Sequence, residues 1–202
     1  ARPTIFTRYQ DNEWLVKFRA KYDSKSIGKQ EYEYSLLAKE CGIEMPETFL
    51  FEGKYFGVER FDRSIRGKLH VVSIAGLLCA DYRIPGIDYL HILQVCAELT
   101  HSVAELWKIY RLMVFNYLIG NKDDHAKNFS FIYRDEDWHF APAYDILPSN
   151  GMYGFHTTSI NDSITPTKED LIAVATKAGL PSKEAEAIFN QIHTILKSKH
   201  QV

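Results

Sequence analysis

Short apolar runs broken by turn residues open the chain. Residues 4–9 and 14–18 are rich in β-branched and aromatic types, and Gln10-Asp11-Asn12 between them is a turn signal, so two strands are predicted. The polar, lysine-bearing stretch 19–30 reads as a mobile loop. Apolar residues at 32, 36, 37 and 41, with Gly42 placed to cap, predict an amphipathic helix over 31–41. Pro46 separates it from two more strand-like runs, 48–51 and 55–61, around the turn Glu52-Gly53-Lys54. After Asp62 the apolar period becomes helical, over 73–80, 89–99 and 102–119, with Ser102 and Glu105 spelling a capping box. Residues 112–119 are apolar nearly all round, which marks that helix as the central buried one. Strands over 129–133 and 138–140 follow, then a Gly-, Ser-, Asn- and Thr-rich loop over 148–167 and two amphipathic helices over 168–178 and 182–197. The pattern predicts an α+β, bilobal protein: a small β-rich N-terminal lobe over 1–65 and a larger helical C-terminal lobe over 66–202.

Composition narrows the picture. In 202 residues, 24 Lys and Arg stand against 26 Asp and Glu, a formal charge of −2. That balance excludes broad electrostatic attraction to nucleic acid, and no direct specific nucleic-acid binding is expected. With 46 % apolar residues the chain can bury one core or two small lobes, and Trp14 and Trp107 are expected inside. Cys41, Cys79 and Cys96 form no CxxC pair, so each reads as a small buried hydrophobe in a reducing, cytoplasmic setting. The greasiest run, 112–119, is too short for a membrane span, and no membrane partner is expected. The chain opens Ala-Arg-Pro with neither an initiator Met nor a signal-like segment, which predicts a piece of a longer protein.

The candidate chemistry concentrates in Gly120-Asn121-Lys122-Asp123-Asp124-His125-Ala126-Lys127-Asn128, a loop between the buried helix and a strand. Taken alone this is ordinary turn composition. Asp145, at the end of the next strand run, adds a further oxygen ligand or base beside Asp123 and Asn128. An Asp, an Asn five positions on and an Asp on the following ribbon repeat the protein-kinase arrangement of catalytic base and metal ligands. That arrangement also needs a Lys on an N-terminal strand and an acid on the next helix. Lys17 ends the run Trp14-Leu15-Val16, and Glu31 opens the predicted helix. A Lys in a strand is more often a solvated edge charge. A metal-dependent nuclease using Asp123, Asp124 and His125 would leave Lys17 and the stretch from Glu59 to Asp62 without a role. No histidine pair has zinc spacing, and the lysines over 21–29 read as a solvated loop that could meet an acidic partner.

The segments Trp14-Leu15-Val16-Lys17-Phe18, Glu31 with Leu37-Ala38-Lys39-Glu40, Val58-Glu59-Arg60-Phe61-Asp62-Arg63, Gly120 to Ser130 and Ala143-Tyr144-Asp145-Ile146-Leu147 resemble the HipA-like serine/threonine kinases, toxin components of bacterial toxin–antitoxin pairs. The resemblance implies ATP and Mg²⁺ as cofactors, with Asp123 orienting or deprotonating the substrate hydroxyl, Asn128 and Asp145 holding Mg²⁺, and Lys17 on the triphosphate. It further implies a hinge at Glu59 to Phe61 that meets adenine, Asp62 at the ribose, Glu31 near the lysine, and His125 and Lys127 close to the phosphates. The implied partners are a protein substrate, by family analogy an aminoacyl-tRNA synthetase, and an antitoxin with a DNA-binding domain. A small-molecule kinase and a weakly catalytic antitoxin-binding fragment are the alternatives. Family members carry a Gly-rich phosphate loop with a regulatory serine, and Ala1-Arg2-Pro3-Thr4 looks like its exit, so this piece is expected to hold phosphate less well than the complete protein.

Overall fold

The computed structural model describes residues 2–65, 67–79, 86–151 and 154–199. Strands β1 (Thr4–Tyr9), β2 (Asn12–Lys17), β3 (Thr48–Phe51) and β4 (Tyr55–Glu59) form one antiparallel sheet in the order β1-β2-β4-β3. Tyr9 pairs with Asn12, so Gln10 and Asp11, both at positive φ, make a two-residue hairpin turn. Between β2 and β3 lies α1 (Ile27–Glu40), which begins before the predicted start at Glu31. Its first turn, Ile27-Gly28-Lys29-Gln30, carries no apolar period, and Gly28 is what lets it pack where it does. A Cβ at Gly28 would stand 2.1 Å from the Lys54 carbonyl oxygen, so only glycine lets the helix approach β4 this closely.

The second part of the chain adds a short hairpin of β5 (Arg63–Ser64) and β6 (Gly67–Lys68), then an antiparallel sheet of β7 (His70–Ser73), β8 (Ser130–Arg134) and β9 (Asp137–Phe140). Helices α2 (Ile74–Leu77), α3 (Tyr89–Thr100), α4 (Val103–Ile119), α5 (Lys168–Lys177) and α6 (Ser182–Ser198) complete it. The helix predicted over 73–80 is corrected to a strand followed by a single helical turn, capped where Ser73 Oγ accepts from Gly76 N–H; Ala80 lies outside the described residues. The strand was hidden because His70-Val71-Val72 is too short to show a period of its own.

As the apolar pattern predicts, α4 is central: Ile109, Met113, Val114 and Phe115 are fully buried against α3, α5 and α6. Each such side chain contributes about 1.5–3 kcal/mol of apolar burial. The same cluster takes in Leu37 and Ala38 of α1 and Cys41 just past its end. The capping box is corrected, because Ser102 makes no side-chain cap and Glu105 is folded inward onto β9 instead. Trp14 is buried as expected, but Trp107 is only half-buried at the edge of the core. Cys41 and Cys96 are buried, and burial pushes their thiols up to about 11 and about 12; Cys79 is exposed, contrary to expectation. Among the described residues no helix is long and apolar enough to cross a membrane.

Candidate active site

Alternation along β2 buries Trp14 and Val16 on one face and leaves Leu15 and Lys17 on the cleft side. The second turn of α1 brings Glu31, 4 % exposed, to the same point. The segment after β9 brings Asp145 at φ +54°, a left-handed conformation that aspartate tolerates better than most residues. Ala143 N–H donates to the Glu44 carbonyl at 2.8 Å and Asn121 Nδ2 to the Asp145 carbonyl at 3.5 Å, holding that segment on both sides. Lys17 Nζ donates to both Glu31 Oε1 and Asp145 Oδ1. Arg2 reaches Glu31 Oε2 at 2.5 Å and Asp23 Oδ2 at 3.1 Å. Burial alone would lower the Lys17 ammonium, but the Asp145 and Glu31 carboxylates reverse this and hold it above its ordinary value.

The loop after α4 starts at Gly120, at φ +69°, where any side chain would be strained. Asp123 is fixed through its backbone: its N–H donates to Ser149 Oγ at 2.8 Å, and its carbonyl accepts from Asn128 Nδ2 at 2.9 Å. Its carboxylate stays exposed. A short 3₁₀ turn, Ala126–Asn128, carries Asn128 back toward it. Asp124 faces the other way, 1 % exposed, and accepts from Tyr89 Oη at 3.0 Å, Thr157 N–H at 3.0 Å and Thr158 N–H at 3.2 Å, with His156 Nδ1 at 3.0 Å. From Tyr89 the network continues through Asn116 to Asn121. Asp124 therefore cannot join Asp123 on a metal, which removes the nuclease reading.

Two cavities meet at this cluster. One, about 290 Å³, is bounded mainly by Leu15, Met45, Phe56, Val58, Phe61 and Ile146. The other, about 650 Å³, is lined by Arg2, Asp123, His125, Asn128 and Ser149. Leu15, Lys17, Glu31 and Asp145 belong to both. The arrangement suits a ligand with a flat apolar end and a charged end, the second lying where the cations and oxygen donors converge.

Glu59, Phe61 and Asp62 line the apolar cavity. The Glu59 and Arg60 N–H groups are engaged with the Glu47 and Glu13 carbonyls, both at 2.8 Å. Asp62 is gripped by Arg60, at 3.0 and 2.7 Å, and by Arg63 at 2.6 Å. Burial would raise its carboxyl, but these guanidinium groups hold it below the usual range. His125 lines the polar cavity; the Lys127 side chain is exposed and lines neither. Asn128 and Asp145 fit a hard divalent cation. The Asn128 amide nitrogen is engaged at the Asp123 carbonyl, which leaves Oδ1 as a donor, and the Asp145 side chain is half exposed. Among the described residues no three His, Cys, Asp or Glu side chains cluster as a metal site.

Arg2, Tyr144, Ser149 and Asp124 are the contributors that sequence reasoning missed or misassigned. Tyr144 stacks on Phe61 at 5.9 Å between centroids, and its hydroxyl donates to the Lys127 carbonyl at 2.7 Å. Burial pushes that phenol up to about 12.

Fold and cavities together define a two-lobed α+β protein of the protein-kinase-like class. The chain belongs to the HipA-like C-terminal domain family, which matches residues 4–199. It is 29 % identical over 194 residues to Y4dM of Sinorhizobium fredii, which carries a provisional kinase name, covering 84 % of this chain and 47 % of that protein. A similarly named protein of Haemophilus influenzae is 28 % identical over 141 residues, 60 % of this chain and 41 % of its own length. The chain thus spans about half the length of these curated relatives. Among solved structures, HipA in the Shewanella oneidensis complex of HipA, HipB and operator DNA superposes with a TM-score of 0.79 at 20 % identity, over 100 % of this chain and 57 % of that one. The Helicobacter pylori proinflammatory kinase CtkA superposes with a TM-score of 0.62 at 14 % identity, over 98 % and 90 %.

Proposed function

We propose that this chain is the ATP-binding and phosphoryl-transfer region of a HipA-type serine/threonine protein kinase. The observation that carries the reading is Lys17, bonded to both Glu31 and Asp145 where the apolar and polar cavities join. Adenine occupies the apolar cavity beside Phe61 and Tyr144, and the triphosphate runs past Lys17. Mg²⁺ held by Asn128 and Asp145 would neutralise charge on the transferred group. Asp123 orients the acceptor hydroxyl and takes its proton as the Oγ–P bond forms and the bond from the γ-phosphorus to the ADP oxygen breaks. Its pinned backbone keeps that carboxylate aimed without tying it up. Asp62 is available to a ribose hydroxyl only alongside its two arginines. The toxin–antitoxin setting of the Shewanella protein supports a toxin role for the whole protein, with a DNA-binding antitoxin as partner; a cytoplasmic protein substrate follows from the family resemblance alone.

The test has two parts. ATP binding followed by calorimetry should need Mg²⁺, and equal affinity in EDTA would remove Asn128 and Asp145 as ligands. Asp123→Asn should lower phosphoryl transfer by at least about a hundredfold with ATP affinity kept; transfer at the parent rate would overturn the assignment.

A further inference from the structure

Behind the catalytic loop lies a concavity that phosphoryl transfer leaves unused. It measures about 410 Å³, and Tyr117, Lys122, Phe155, Ile164 and Pro166 are among its walls. Successive residues of the segment alternate between the two cavities: Asn121 and Asp123 line the polar one, whereas Gly120 and Lys122 line this one. Its far wall is tied to the catalytic loop. Thr157 N–H and Oγ1 donate to the Lys122 carbonyl at 3.1 and 3.0 Å, and Ser149 N–H donates to the Gly120 carbonyl at 3.1 Å. Buried Asp124 holds the Thr157 and Thr158 amides from behind.

Two apolar walls remain in water, Phe155 at 40 % and Ile164 at 53 % exposure. Adjacent exposed apolar groups beside a concavity are a mark of contact surface. The charge is one-sided. Among the described residues Lys122 is the lysine of the lining, beside His156 whose Nδ1 is turned to Asp124, and no Asp or Glu lines the cavity or pairs with Lys122 Nζ. A free anion would satisfy the lysine and leave Phe155 and Ile164 wet. A purely apolar ligand would cover those two and leave the Lys122 ammonium unmatched.

We infer that this concavity docks an extended segment of a protein partner, one that lays an apolar side chain against Phe155 and Ile164 and a carboxylate against Lys122. The inference rests on the kinase reading in one respect: the segment belongs to the protein that is phosphorylated, which selects a protein acceptor over a small molecule. Docking here, one residue from Asp123 in sequence but on the opposite face of the loop, raises the local concentration of the acceptor without touching the reacting atoms.

Fluorescence anisotropy without nucleotide tests it, using a labelled peptide with two leucines followed by two glutamates and its counterpart with lysines for glutamates. The acidic peptide should bind about tenfold tighter, and Lys122→Glu should reverse that order. Phe155→Ser should weaken both by roughly fivefold, with melting temperature and ATP affinity as in the parent. Equal affinity for the two peptides, or an order unchanged by Lys122→Glu, overturns the inference. So does displacement by submillimolar inorganic phosphate, which would assign the site to a free anion, or self-association abolished by Lys122→Glu, which would assign it to a second copy. Because binding is read without nucleotide, a parent that captures the acidic peptide but transfers no phosphoryl group would sink the kinase reading and leave the docking site standing.

Discussion

Lys17 and Asp145 stand 128 residues apart in sequence, yet they form an ion pair across the cleft between the two lobes. The lysine ends a strand of the upper sheet, and the aspartate follows the lower one. A ligand bridging the lobes meets both at once. Replacing the lysine by Met keeps most of its stem and removes the ammonium. One charged hydrogen bond to phosphate is worth about 1.5–3 kcal/mol, which is at least tenfold in affinity. Titration of Lys17→Met with ATP and Mg²⁺ should show that loss, and an unchanged dissociation constant would free Lys17 from the triphosphate.

Asp124 should matter more for stability than its neighbour Asp123, the proposed base. Asp124→Ala strips the partner from Tyr89, His156 and two backbone amides at a site with no water access. The expected cost is about 3–5 kcal/mol, the range for breaking a buried charged network. Asp123→Ala, at an exposed carboxylate, should stay within about 0.5 kcal/mol. Urea unfolding of the two variants side by side checks this; similar midpoints would mean the buried network carries little.

Acid should act through Glu105. Burial by itself would raise its carboxyl, but Lys108 at 2.9 Å and the Phe140 N–H at 2.9 Å hold it below the usual carboxylate range. A carboxyl lowered by folding stabilises the protein above its unfolded value, about 4.3, and that contribution is lost as pH falls through the folded value. Glu105→Gln should therefore flatten the decline in stability below about pH 4.3. Denaturant midpoints measured across that window decide it, and parallel curves for parent and variant would exclude Glu105.

Gly28→Ala should be costly although it lies in a helix, where alanine is ordinarily favoured. The added methyl meets the Lys54 carbonyl, part of the backbone, so α1 must move. Overpacking of this kind costs about 1–3 kcal/mol. The shift would also draw Glu31, one turn on, away from Lys17. A thermal melt and an ATP titration of the variant should both decline, and a stabilised variant would contradict the close approach.

Most of the fold was legible wherever the apolar period ran long enough. The 112–119 run announced the buried α4, and the ends of α5 and α6 fall within a residue or so of their predicted limits. Short elements hid: β7 offers only Val71 and Val72 as a pattern, and the first turn of α1 is stabilised by contact with β4, which local composition does not encode. At the site, Lys17, Glu31, Asp123, Asn128 and Asp145, which the kinase-like spacing and the family resemblance singled out, line one cavity. Arg2 and Ser149 were invisible because their parts are set by chain crossings, not by neighbours in sequence. Glu105 was misread for a related reason: its capping position was plain, whereas its true partner, Phe140, is 35 residues away.

The apolar cluster crosses the line between the lobes. Leu37 and Ala38 of α1, with Cys41 just past its end, share it with α3, α4 and α6, whereas the upper sheet by itself buries little beyond Trp14, Val16 and Phe56. A unit this short with so small an interior of its own is only marginally stable. The upper lobe is therefore a lodger on the lower one, with α1 as its foundation. Heating should melt both in a single calorimetric transition, and a peptide ending at residue 65 should be unfolded by circular dichroism. An engineer exchanging the upper sheet between relatives would have to carry α1 with it, along with the Arg111 contact at the carbonyl of Cys41 where α1 ends.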